Sequence, residues 1–168
     1  MTISISPMTD SDVDGAAAAI AAGPVFHRYG ITHSSAIELL RTARGKIAVA
    51  KDDGAVRGVA MYWTDGTPPV PAYLRILAVA EGQRGKGVGR ALLRHVESEA
   101  YREGPNLFLC CELTNVDAAR LYEREGYVKI GPMPSLFVEG ITEVLYRRTL
   151  GPIRGYVRPD EGGSPSQS

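Results

Sequence analysis

The chain has 168 residues, and its 19 basic and 19 acidic side chains cancel to a net charge of zero. That length suits one domain burying about 70% of its unfolded-chain surface. Balanced charge argues against nucleic acid as the dominant partner, because binding a phosphate backbone needs clustered Lys and Arg. No apolar run approaches the roughly 20 residues of a membrane span. No Lys or Arg precedes the short apolar stretch 16–22, as a secretory signal would require, so a cytoplasmic protein without a membrane partner is expected.

Ile3 and Ile5 alternate with polar residues across 2–6, which predicts a short strand ended by Pro7. Ser11 or Asp12 is placed to cap a helix through the Ala-rich stretch to about Ala22, where Gly23-Pro24 breaks it. Residues 25–33 read as irregular and hold Phe26, His27, Arg28, Tyr29 and His33. Ser34 or Ser35 then caps a second helix carrying Ile37, Leu39 and Leu40 and ending near Gly45. Residues 47–50 and 56–63 form two antiparallel strands across the turn Asp52-Asp53-Gly54. A loop stiffened by Pro68, Pro69 and Pro71 follows.

The next unit concentrates the chemistry. A strand, Leu74-Arg75-Ile76-Leu77-Ala78-Val79, leads into the turn Arg84-Gly85-Lys86-Gly87-Val88-Gly89-Arg90. A helix follows at once, with Val88, Leu92, Val96 and Ala100 four apart on one face. Three glycines at alternate positions remove Cβ atoms from a turn whose backbone N–H groups open a helix, and the helix macrodipole is positive there. Arg84, Lys86 and Arg90 add cationic side chains, so the turn is an anion cradle suited to a phosphate-bearing ligand.

A P-loop reading fails, because Val88 and Gly89 stand where Lys and Ser/Thr belong after Gly82 and Gly87. A dinucleotide fingerprint is weak, because the third glycine would fall on Arg90 or Leu92.

Gly104-Pro105 marks a loop, and 107–111 reads as a buried strand containing the adjacent Cys110 and Cys111. Neighbouring strand residues point to opposite faces, which excludes a disulfide between them and leaves two small reduced core residues. Two thiols without a nearby His also make a poor zinc signature, so no metal is expected. Asn115 opens a helix through Ala118, Ala119, Leu121 and Tyr122, with Gly126 as its left-handed stop. Residues 127–130 and 144–148 are the last strands, joined by a loop containing Pro132 and Pro134. Residues 1–150 are thus read as one domain, and 151–168 as a loosely ordered tail of Gly, Pro, Ser and charge.

Arg84-x-x-Gly87-x-Gly89, soon after a strand ending Leu77-Ala78-Val79, resembles the coenzyme A signature of the GNAT superfamily of N-acetyltransferases. A second block, Asn115-x-x-Ala118-x-x-Leu121-Tyr122 followed by Gly126-Tyr127, resembles that family's next helix and strand. The resemblance runs from about Ile3 to Arg148. It implies an α/β fold with a central mixed, mostly antiparallel sheet of about seven strands and about four flanking helices, splayed at the acyl-CoA site.

It further implies acetyl-CoA as cosubstrate and a primary amine as acceptor, joined by direct attack in a ternary complex. Leu77, Ala78 and Val79 would lie along the pantetheine arm, and Arg84, Gly85, Lys86, Gly87, Val88, Gly89 and Arg90 would surround the pyrophosphate. Asn115 matches a polar contact to the pantetheine arm and is also a preferred helix N-cap. Tyr122 matches the tyrosine beside the thioester sulfur and would act as general acid. A homodimer through the final strands is the assembly the resemblance implies.

A base is useful, because deprotonating a lysine-like amine of pKa about 10.4 at pH 7 costs about 4–5 kcal/mol. The positions where family members carry a base glutamate are not acidic here; one of them is Cys110. Glu112, on Cys110's face if strand alternation holds, is a candidate base, and Glu81, His27 and His33 are others. The acceptor would meet residues 25–33, 65–71 and 131–139, with Phe26, Tyr29, His27, Arg28 and Phe137 among them. A non-catalytic acyl-CoA sensor is the alternative, favoured by the missing carboxylates and opposed by Tyr122.

Overall fold

The computed structural model describes residues 2–67 and 69–159. Seven strands form one sheet: β1 (Ser4–Pro7), β2 (Lys46–Asp52), β3 (Ala55–Trp63), β4 (Tyr73–Val79), β5 (Asn106–Glu112), β6 (Val128–Pro134) and β7 (Thr142–Thr149). Their order is β1-β2-β3-β4-β5-β7-β6. Neighbours run antiparallel except β4 and β5, which are parallel. Five α-helices accompany them among the described residues: α1 (Val13–Ala21), α2 (Pro24–Arg28), α3 (His33–Thr42), α4 (Val88–Glu103) and α5 (Val116–Arg124).

The sheet is buried on both faces. Ala16, Ala17, Ile20, Ala36 and Leu40 of α1 and α3 pack with Val49, Val59 and Met61 on one side. Val88, Leu92, Val96 and Ala100 of α4 pack with Ala48, Ala60, Leu107 and Tyr146 on the other. The four-residue spacing read from α4 is therefore its buried face, as helical periodicity requires. Gly58 lets this helix sit close, because a Cβ there would meet Ala78 O at 2.8 Å and Val88 Cγ1 at 2.9 Å. At the β2–β3 hairpin, Asp53 and Gly54 both take positive φ, +50° and +76°, as a two-residue turn of this kind demands.

The expectations fail in several local places. Residues 25–33 are not wholly irregular, because Pro24 starts α2 at a position where proline's missing N–H costs nothing. Thr32 caps α3, with Ser35 answering it, so neither Ser34 nor Ser35 is the cap. Asp12 is the N-cap residue of α1, one of the two positions expected, but its side chain makes no capping bond there and instead accepts from Thr9 N at 2.9 Å and Thr9 Oγ1 at 2.7 Å. Pro132 and Pro134 lie within β6 rather than in a loop, and proline is tolerated there because β6 is an edge strand. Gly126, at φ +88°, ends α5 as expected. Residues 151–159 contain no helix or strand, yet the Tyr156 hydroxyl donates to Tyr101 O at 2.7 Å. The rest of the expected tail, 160–168, lies outside the described residues.

One irregularity shapes the centre of the sheet. Along β3, Met61 pairs with Ile76 but Tyr62 pairs with Leu74, which leaves Arg75 as an extra residue on β4. A bulge of this type bends the strand and raises its twist. Only Tyr73 and Leu74 pair with β5, at Phe108 and Leu109, and the strands then part. From Ile76 to Val79 the β5-facing edge of β4 has no strand partner among the described residues.

Gly58→Ala should cost about 1–3 kcal/mol by overpacking β3 against α4. Urea unfolding would show a lower midpoint at unchanged slope; an unchanged midpoint would mean the helix can retreat freely.

Candidate active site

The parting of β4 and β5 opens a cleft of about 920 Å³ bordered by β4, the glycine turn, α2, the end of β5 and α5. Gly87 is the N-cap of α4 at φ +85°, and Gly85 has φ +74°, so both occupy the left-handed region where glycine is unstrained. A Cβ at Gly85 or Gly87 would meet no heavy atom within 4 Å, so the backbone here is open to a ligand. Gly89 is different: its Cβ would touch Val79 Cγ2 at 3.4 Å, an ordinary contact that alanine could make. The first amides of α4 have no intrahelical acceptor and carry the positive end of its dipole.

The cations of the turn are not equivalent. Arg84 borders the cleft. Arg90 borders it too, but its Nε lies 2.6 Å from Oε1 of buried Glu125, whose Oε2 also accepts from Arg94 Nε at 3.4 Å. Lys86 borders a separate polar hollow with Asp52, Asp53 and Arg57. Val88 buries its side chain in the core, leaving only its backbone to meet a ligand. Leu77 and Val79 pack on the α4 side of the sheet, while Ala78 faces the α1 side.

Asn115 is the N-cap of α5, its Oδ1 accepting from Ala118 N at 3.3 Å, and it borders the cleft. Tyr122 is buried on the α4 side against Tyr127 and Tyr146, and it reaches the cleft with no protein partner for its hydroxyl among the described residues. Burial, with smaller contributions from Cys111 and Tyr146, pushes this phenol's pKa well above its ordinary value. It stays protonated throughout the neutral range.

The other face of the sheet brings together charges that the sequence keeps far apart. Glu112 is buried and lies on the Cys110 side, as alternation predicts. It accepts from Arg28 Nη2 at 2.6 Å and Nε at 3.1 Å through Oε2, and from Thr114 Oγ1 at 2.6 Å through Oε1. Directly opposite on β7 stands Glu143, also buried, with the Tyr29 hydroxyl donating to its Oε1. Like charges directly opposite are unfavourable. Here Arg28 neutralises one carboxylate, while burial, together with Glu112, raises the pKa of the other against the lowering hydrogen bond from Tyr29.

Of the other base candidates, Glu81, His27 and His33 are exposed and outside the cleft lining, and His33 faces Asp14 at 3.2 Å. Sequence reading missed Glu143. The only local signal is its place at the start of β7, and the register that sets it against Glu112 is long-range.

Both cysteines border the cleft, Cys110 half-buried beside Met133 and Cys111 buried on the opposite face of β5. Only the second is thus the core residue expected of both. Burial raises both thiols, and with help from Glu143 and Glu112 it pushes Cys111 up to about 12.

This fold is shared with acetyltransferases. A Corynebacterium glutamicum structure described as histone acetyltransferase HPA2 and related acetyltransferase matches with a TM-score of 0.69 at 28% identity, covering 90% of this chain and 99% of that one. The model of the Acetyltransferase (GNAT) family matches residues 17–127, and the chain belongs to that family. Acetyltransferase Atu2258 of Agrobacterium fabrum is 34% identical over 95 residues, covering 54% of this chain and 63% of the relative. Streptothricin acetyltransferase of Streptomyces lavendulae is 40% identical over 63 residues, covering 36% of this chain and 33% of the relative. The matches to these two curated relatives therefore span less than two thirds of their length. Among the described residues, no helix is long and apolar enough to cross a membrane.

With the thiolate of Cys111 suppressed by burial, disulfide-reagent labelling at pH 8 should be far slower in the native protein than in urea. Equally rapid release from both cysteines in native buffer would contradict the buried setting.

Proposed function

We propose that the protein transfers an acetyl group from acetyl-CoA to a primary amine by direct attack within a ternary complex. The parting of β4 and β5 carries this reading, because it joins an amide-rich helix start on one side of the sheet to buried acid–base groups on the other. The exposed backbone at Gly85 and Gly87 fits a pyrophosphate, and Arg84 stands beside it. The unpaired edge of β4 at Leu77, Ala78 and Val79 offers hydrogen-bonding groups to the amides of a pantetheine arm. Asn115, with Oδ1 engaged in capping, keeps its Nδ2 donor for the same arm.

Acetyl-CoA supplies the activated carbonyl and a thiol leaving group of pKa about 8.5. Tyr122, a weaker acid than that thiol, serves by donating a hydrogen bond to sulfur as charge develops there. The cleft disfavours an acyl-cysteine route: burial holds Cys110 and Cys111 as thiols, and the thiolate is the nucleophilic form. Direct attack by the amine needs neither.

Thiol release from acetyl-CoA, measured across simple amines, amino acids, polyamines and peptide N-termini, tests the reading. Binding of acetyl-CoA without amine-dependent thiol release would instead favour a sensor. Tyr122→Phe should lower kcat by about 10²-fold or more with little change in acetyl-CoA affinity. An unchanged kcat would remove the hydroxyl from the reaction.

A further inference from the structure

We propose that Glu143 is the base that takes a proton from the incoming amine, with Tyr29 positioning its carboxylate. The proposal rests on the acetyltransferase reading and assigns a step that reading leaves open. Two buried carboxylates face each other across β5 and β7 at the cleft, and they differ in what they have left to offer. Both oxygens of Glu112 are taken, Oε2 by Arg28 and Oε1 by Thr114. Glu143 accepts from Tyr29 at Oε1, and its Oε2 has no protein partner among the described residues.

The groups around Glu143 leave it buried with one oxygen unengaged by protein among the described residues. From α2 and the residue after it come Arg28, held on Glu112, and Tyr29. From β5 come Glu112 and the thiols of Cys110 and Cys111, both raised by burial. From β4 comes Tyr73, raised by burial and by Cys110, and the β6 residue paired with Glu143 is the uncharged Met133. Burial lifts Glu143 above the ordinary glutamate range, which brings a carboxylate closer to the pKa a neutral-pH base needs.

The proton count closes. The acceptor ammonium gives one proton to Glu143, and its neutral nitrogen forms the N–C bond to the thioester carbonyl carbon. The C–S bond breaks, the second nitrogen proton passes to sulfur, and Glu143 returns its proton to water. Glu143 and Tyr122 lie on opposite faces of the sheet, so amine and thioester would approach the parted strands from different sides.

Two acceptors separate a base from a merely structural glutamate: an alkylamine such as 2-phenylethylamine, an ammonium at pH 7, and hydroxylamine, already neutral there. Glu143→Gln should lower kcat/KM for the alkylamine by about 10²-fold or more while sparing hydroxylamine. The acidic limb of the wild-type kcat/KM profile for the alkylamine should also move upward, toward the pKa of the amine itself, about 10.4 for a lysine-like amine. Equal loss with both acceptors, or an unchanged profile, overturns the assignment.

A second readout is independent of turnover. In protein carrying carboxyl-labelled glutamate, NMR should show a carboxyl titrating above the ordinary range, absent in Glu143→Gln and displaced in Tyr29→Phe. Its absence from the wild type also overturns the proposal. Wild-type protein that releases no thiol with any amine overturns the acetyltransferase reading itself. An active wild type with an equally active Glu143→Gln overturns only the role of Glu143.

Discussion

The extra residue at Arg75 sets the geometry on which the rest of the molecule depends. Because β4 carries one residue more than its partner there, Leu74 faces the α4 side while Ile76 and Ala78 face the α1 side. The same bulge turns the strand away from β5 after only two paired residues. A parallel pair that simply continued would fill the cleft with its own hydrogen bonds. The β5-facing backbone groups of β4 are thereby left bordering the cleft.

Charge is distributed around that opening in a way the neutral total conceals. At the turn, Glu125 binds Arg90 and Arg94, so the cradle depends more on backbone amides and Arg84 than on a cluster of free cations. On the far face, Arg28 compensates Glu112 and leaves Glu143 as a buried carboxylate held by a phenol. Removing an ionised group from water is expensive, and each of these buried carboxylates has a partner at hydrogen-bond distance. The pairing distinguishes two otherwise similar acids: one anchors α2 to β5, and the other has an oxygen without a protein partner among the described residues.

The order of elements, the glycine turn, the buried face of α4 and the stop at Gly126 were legible in the sequence. All of them express short-range rules, namely helical spacing, left-handed glycine and capping. Asn115 was recognised in both of its readings, and its capping bond is present. Reading failed where a longer-range contact decides the outcome. Pro132 and Pro134 look like loop residues until β6 is known to be an edge, and Arg90 looks like a free cation until α5 delivers Glu125. Glu112 looked like a base because alternation put it on the right face, and nothing local told of Arg28 and Thr114 upon it.

The sequence by itself determined that this chain folds as an α/β domain with an amide-rich helix start, because those properties are written in periodicity and in residues lacking Cβ. It also carried the motifs by which the chain resembles its family. Only the tertiary structure decided which acidic groups share the cleft and which of them has an oxygen left unpartnered among the described residues. Glu143 meets Glu112 through the register of β5 with β7, and Tyr29 through the docking of α2. Both are contacts between distant segments, fixed by the packing of the whole sheet rather than by any local pattern.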